Sequence, residues 1–352
     1  MPAPTLPALR GGLLALLAAV LFGISTPLVQ QFGAGLGAFS TAALLYAGAA
    51  AVGLLSRQPL DREARLQRAD LPRLMAMAGF GAVIGPVALA WGLQHTSGTS
   101  ASLMLTLEAL FTAVLAWLLY RETMDGRVWA AMALLLAGGM VLVLEQGLRS
   151  NSGGAQLWGL LAVLLATAAW GVDNTLSRAL AERDPGQVVM CKALLGATAT
   201  SALAVAFAEP LPTLVAAAAL LAIGATGYGL SLRFYLLAQR AFGAARTGSV
   251  FAFAPFIGAA VAIVLGDRSA SALMALGSVL MLAGVVLHLA ESHSHVHRHD
   301  ALDHEHAHRH DDGHHSHVHD PMPAGAHSHH HQHAPVQHAH AHVPDAHHAH
   351  RH

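Results

Sequence analysis

Three ionisable side chains stand inside long apolar runs, where a bare charge is expensive: Glu108, Asp173 and Lys192. A carboxylate at the centre of a membrane span costs roughly 2.5–3.5 kcal/mol on insertion scales, so such a group faces a cavity or a partner. Glu108 lies near the middle of its run and suits proton coupling or cation binding; its structural alternative is a neutral acid hydrogen-bonded to a neighbouring helix. Asp173 lies in W-G-V-D-N, directly after Trp170 and Gly171. It could line a pathway, or pair with Arg178 at the edge of its segment. Lys192 is the one lysine beside 18 arginines. It falls five residues into its run, close enough to the edge to snorkel; the sharper reading is an anion contact or a pair with Asp173. Ser25 follows Phe22-Gly23 in F-G-I-S-T-P and occupies the place that Asp173 holds in the second half. Pro27, two residues on, can free a backbone carbonyl. Glu122, Glu145 and Asp267 sit at run ends, where an interfacial position is the simplest reading.

A second chemistry is concentrated at the C-terminus. Of 26 histidines, 24 follow Glu291, in runs such as HSHVHRH, HEHAHRH and HSHHHQH. Neutral imidazole ligates Zn, Ni, Co and Cu, and alternation puts every second side chain of an extended chain on one side. The candidate ligands are His293, His295, His297, His299, His304, His306, His308, His310, His314, His315, His317, His319, His329, His330, His331 and His333. The stretch from His304 to His308 also fits H-E-x-x-H, but that zinc-hydrolase pattern needs a helix to align its histidines. In a tract this rich in histidine the match is chance. With Asp, Gly and Pro interruptions and no apolar period, residues 292–352 are expected to be disordered.

The elements that must carry the intramembrane groups follow from composition. The chain is 54% hydrophobic and 11% charged over 352 residues, against a soluble norm of roughly 25% charged. This excludes an ordinary soluble enzyme. One cysteine, Cys191, excludes a disulfide framework within the chain. Ten apolar runs of membrane-crossing length occur, at about 11–30, 36–55, 72–93, 97–120, 127–145, 157–180, 187–208, 213–237, 245–265 and 271–290. Segments of this kind must satisfy their backbone internally and therefore form helices. Alternate connections carry 13 arginines on one side and 2 on the other, which predicts both termini in the cytosol. Arginine-rich, alanine-rich usage points to the cytoplasmic membrane of a bacterium.

The halves repeat. Residues 11–28 align with 159–176, and 107–122 (LEALFTAVLAWLLYRE) align with 253–268 (FAPFIGAAVAIVLGDR). Five spans per half invert the second half relative to the first, a common construction of secondary transporters. The expected architecture is all-α, with a first five-helix repeat at 1–147, a second, inverted one at 148–291, and the tail at 292–352.

Over about residues 10–290 the sequence resembles the EamA family of the drug/metabolite transporter superfamily. The likeness is carried by residues 107–122, by the F/W-G element of the first and sixth runs, and by the paired halves. Where the family has a proline in the fourth span this chain has Ala109, while Pro255 keeps it in the ninth. A membrane-edge arginine of the family's seventh span is represented by Lys192, and its second-span counterpart is Leu45. The resemblance implies transport of a small metabolite by alternating access, in the outward direction, with Glu108, Asp173, Trp170, Ser25, Lys192 and Pro255 as candidates for substrate binding or coupling. No cofactor is expected for transport itself. The alternative is a Zn, Ni or Co exporter, or exporter of a metal–metabolite complex, whose tail collects the cargo. Expected partners are the small-molecule substrate, the lipid bilayer and metal ions, and not nucleic acid; monomer and homodimer both remain open. An enzyme finds no catalytic constellation in this sequence, and a mere metal buffer has no use for ten spans.

Overall fold

A computed structural model describes residues 6–57, 64–120, 126–149, 154–177, 180, 183–242 and 244–289, and within the tail 293–299, 302–308, 327–333 and 336–342. The first half comprises α1 (Leu6–Phe32), α2 (Ala38–Leu55), α3 (Leu71–Met77), α4 (Gly85–Leu93), α5 (Gly98–Met104), α6 (Leu107–Tyr120) and α7 (Gly126–Arg149). The second comprises α8 (Ala155–Ser177), α9 (Pro185–Ala206), α10 (Leu214–Ile223), α11 (Ser231–Phe242), α12 (Ala244–Phe251), α13 (Ala254–Val264) and α14 (Ala272–Leu289). Among the described residues, eight helical stretches are long and apolar enough to cross a membrane, and Ala254–Val264 and Ala272–Leu287 are shorter apolar helices.

Four of the expected continuous runs are interrupted. A π-helical turn, Ala78–Ile84, joins α3 to α4, and another, Gly224–Leu230, joins α10 to α11. Each turn is glycine-rich, and π turns inside α-helices are frequent at functional sites. The fourth run breaks at Leu105–Thr106 and the ninth at Ala252–Phe253. Pro255, in the first turn of α13, has no N–H for a helical bond and marks the later break. No proline causes the earlier one. There the Thr106 hydroxyl donates to the Leu103 carbonyl at 2.6 Å, and the amides of Glu108 and Ala109 bond three residues back, to Leu105 and Thr106.

The halves pack on each other: α2 lies along α9, α7 along α14, α1 along α11 and α13, and α4 along α8. Lipid supplies no hydrophobic drive between helices, so close approach at small residues carries much of the packing. The glycines of the F/W-G element are two such points. A Cβ at Gly171 would stand 2.7 Å from the Phe111 Cβ on α6, and one at Gly23 would overlap the Ala254 carbonyl.

Carboxylates of the second half tie down one end of the bundle, opposite the end where α1 begins and α14 finishes. Glu209 accepts from the amides of Phe39 (3.1 Å) and Ser40 (2.7 Å) at the start of α2. Asp267 accepts from the amide (2.9 Å) and hydroxyl (2.7 Å) of Thr99 at the start of α5. Both satisfy helix N–H groups that have no intrahelical acceptor. At the other end Arg183 pairs with Asp70 at 2.9 Å. Glu145, expected at the interface, is instead buried and accepts from Ser271. Glu122 and Arg178 lie outside the described residues.

The tail follows α14. Its described residues form β1 (His293–His299), β2 (Leu302–His308), β3 (His327–His333) and β4 (Val336–His342), with β1 antiparallel to β4 and β2 to β3. A residue-by-residue alternation is the period of a strand, and backbone pairing needs no apolar face to begin. Register sets His293, His295 and His297 opposite His342, His340 and His338, and His304, His306 and His308 opposite His331, His329 and His327. His310, His314, His315, His317 and His319 lie outside the described residues.

Candidate functional site

Trp170, Asp173, Asn174 and Lys192 come from α8 and α9, and Glu108 from the first turn of α6, just after its break. Together with Phe22, Tyr46, Tyr228, Tyr235 and Phe251 they line one cavity of about 70 Å³. Both halves contribute to it.

Lys192 Nζ bonds Asp173 Oδ2, and both side chains are less than a tenth exposed. That contact replaces the snorkelling position expected for Lys192. Asp173 Oδ1 is buried and accepts no hydrogen bond. Glu108 Oε1 accepts from the Asn174 side-chain amide.

The π turn Ala78–Ile84 opens an acceptor onto this site. Its bonding reaches back five residues, so the Gly85 amide bonds Phe80 O. The next residue, Pro86, has no N–H to give. The Gly81 carbonyl is thereby released to side chains: Tyr46 Oη donates to it, and Trp170 Nε1 donates at 3.1 Å. A Cβ at Gly81 would overlap the Asp173 carboxylate, so only glycine fits there.

Six rings surround the charged groups. Phe22 lies edge-on to Trp170 (5.7 Å between centroids) and to Tyr228 (6.0 Å), and 5.4 Å from Phe251. Tyr46 and Tyr228 are 5.6 Å apart, and Tyr235 and Phe251 5.0 Å.

The structure thus brings Glu108, Asp173, Trp170 and Lys192 together and leaves two candidates aside. Ser25 is buried one layer behind, against Gly227 of the second π turn, with its hydroxyl donating to Phe22 O at 2.6 Å. Pro255 is buried at the start of α13 and does not line the cavity. Sequence reasoning passed over Asn174, Tyr46 and Tyr228. Two tyrosines well inside apolar runs, out of four in the chain, were the available signal, since tyrosine otherwise collects at the membrane interfaces.

Two helical repeats meeting around a mid-bundle cavity, with interrupted helices at its wall, define a transporter-like membrane fold. Residues 9–144 and 157–290 each match the model of the EamA-like transporter family. The chain belongs to the EamA-like transporter family, and it is a multi-pass membrane protein built from two copies of that repeat. An uncharacterized transporter of Methanothermobacter thermautotrophicus is 27% identical over 232 residues, spanning 64% of this chain and 67% of that protein. A crystal structure 19% identical in sequence superposes with a TM-score of 0.57, over 79% of this chain and 94% of the other, which shows a shared fold. The two π turns begin 69 and 67 residues after the starts of the matched regions, so they occupy equivalent places in the repeats.

Proposed function

We propose that the protein is a secondary transporter that exports a small metabolite from the cytosol by alternating access. In this reading ten spans form two inverted five-helix repeats in a bacterial cytoplasmic membrane, with both termini cytosolic. The observation that carries it is the cavity: one mid-bundle chamber, walled by both repeats, that holds three ionisable side chains and is bordered by a break in α5–α6 and two π turns. A rocking of one repeat against the other would change which end of that chamber is open. The cross-half ties at Glu209 and Asp267 close one end, and most of the lining side chains belong to the opposite halves of their helices. This arrangement suits a state open to the side of the termini. The test is counterflow in proteoliposomes with a panel of labelled amines, amino acids and organic acids. Saturable uptake of at least one class, lost in Asp173→Asn, is expected. An absence of carrier-dependent flux across the whole panel would overturn the transport reading.

The tail is proposed to bind Zn, Ni, Co or Cu and to tune the rate from the cytosol. Histidine-opposite-histidine register in both strand pairs favours this, because directly paired residues of an antiparallel ladder have Cβ atoms about 4.5–5.5 Å apart. The same register supports a second reading in which a metal ion is the cargo. Truncation after Ser292 separates them. Metabolite flux that persists but no longer responds to added metal, with loss of metal binding by the protein, is expected, whereas a truncation that raises cellular sensitivity to one of these metals would favour metal as cargo.

A further inference from the structure

Resting on the transport reading above, we propose that the ligand of the central cavity is a small primary-amine cation, exchanged for a proton held at Glu108. Charge is the first argument. Lys192 is already committed to Asp173 Oδ2. Among the described residues, the hydrogen-bond partner of the Glu108 carboxyl is the uncharged Asn174 amide. The described lining therefore carries one more negative than positive group, and a cation or a proton makes up the difference.

Hydrogen bonding supplies the second argument. Asp173 Oδ1 is buried with no donor, and a buried unsatisfied acceptor is costly. A primary ammonium brings three N–H donors on one atom, enough for Asp173 and Glu108 together. A quaternary ammonium brings none.

The rings supply the third. Phe22, Tyr46, Trp170, Tyr228, Tyr235 and Phe251 line the cavity, and aromatic rings attract cations, the more so when the charge is desolvated. An anion would meet the uncompensated carboxylate and these same rings. A zwitterion's carboxylate would gain Lys192 only by taking it from Asp173, which strands a buried charge, and would otherwise have a single unpartnered hydroxyl, Tyr228 Oη. The volume of about 70 Å³ admits an ammonium head and a few carbons.

Proton and amine compete because each neutralises the same excess charge. The titratable groups and the amide that share the described lining with Glu108 are Asp173 and Asn174 from α8, Lys192 from α9, Tyr46 from α2, Tyr228 from the second π turn and Tyr235 from α11. Of these, Lys192 is the one cation, and it is paired.

The experiment uses the full chain in nanodiscs and three ligands built on the same 3-methylbutyl chain: isoamylamine, leucine and 4-methylpentanoate. Calorimetry in buffers of different ionisation enthalpy reads both affinity and protons released. We expect isoamylamine to bind roughly tenfold or more tighter than the other two, a difference of about 1.4 kcal/mol or more, and to release a proton on binding to the wild-type protein. Affinity should rise with pH while the amine stays charged. Glu108→Gln, checked for wild-type melting, should bind isoamylamine without releasing a proton or lose it altogether. Equal or tighter binding of leucine or 4-methylpentanoate overturns the proposal, as does no binding of the amine. Proton release that persists in Glu108→Gln also overturns it. Counterflow of leucine or of any organic acid by the same protein in proteoliposomes would show that the protein transports even though the amine assignment has failed.

Discussion

Lys192 and Asp173 form an ion pair between α9 and α8 in which neither side chain is more than 7% exposed. Placing two charges so deep is expensive, and the pair offsets that cost only while both members are present. Each single removal leaves the other charged and unsolvated. Lys192→Met and Asp173→Leu should therefore each destabilise the protein by about 3–5 kcal/mol, and the double substitution should recover most of the loss. Thermal melting in detergent measures this cycle. If the double variant melts as low as the worse single one, the pair is not the source of the cost.

Gly81 should tolerate no side chain. Gly81→Ala pushes a methyl into the Asp173 carboxylate, while Gly79, two residues away in the same π turn, has open space. Overpacking of this kind costs roughly 1–3 kcal/mol. Gly81→Ala is expected to lose transport and lower the melting temperature, and Gly79→Ala to stay near the wild type. Equal behaviour of the two would refute the close approach.

Asp267 gives a pH prediction. Partial burial acts to raise its carboxyl, but hydrogen bonds from Ser269 and Thr99 outweigh this and hold it below the usual carboxylate range. A depressed folded-state value means stability that is present above about pH 4, the unfolded value, and lost as pH falls through the folded value. Melting temperature should thus be insensitive to Asp267 between neutrality and about pH 5 and decline only in stronger acid. Asp267→Asn should flatten that acid decline, and Asp267→Ala should cost about 0.5–2 kcal/mol as a lost helix cap. A steeper acid decline in the Asn variant would contradict the assignment.

Topology is the simplest check on the ten-span reading. Reporter fusions at Gly147 and Ser292 should report opposite sides, external and cytosolic. The same side for both would remove one span from the count.

What the sequence makes legible here follows energetic cost. Glu108, Asp173 and Lys192 stand out because a charge in an apolar run demands a reason, and all three meet at the cavity. Asn174 and Tyr46 carry no such penalty and vanish among their neighbours, although one holds Glu108 and the other holds Gly81. The π turns leave even less trace. An added residue rotates a helix face, but a segment that is apolar all round has no stripe whose rotation could be read. Pro86 was visible, yet its effect, the freeing of the Gly81 carbonyl, depends on the turn before it. The tail alternates histidine with the two-residue period of its strands, but no apolar face accompanies that period.

The Glu209 and Asp267 contacts have a consequence for biogenesis. Both carboxylates belong to the second repeat, and both cap helices of the first. A ribosome releases α2 and α5 long before it has made either acid, so the first repeat enters the bilayer with those two helix starts served by water at the membrane edge. Its final settling has to wait for residue 267. Neither repeat is interchangeable with the other, and a first repeat made alone would lack the acceptors for its own helix ends. Of the two similar halves, one finishes the other.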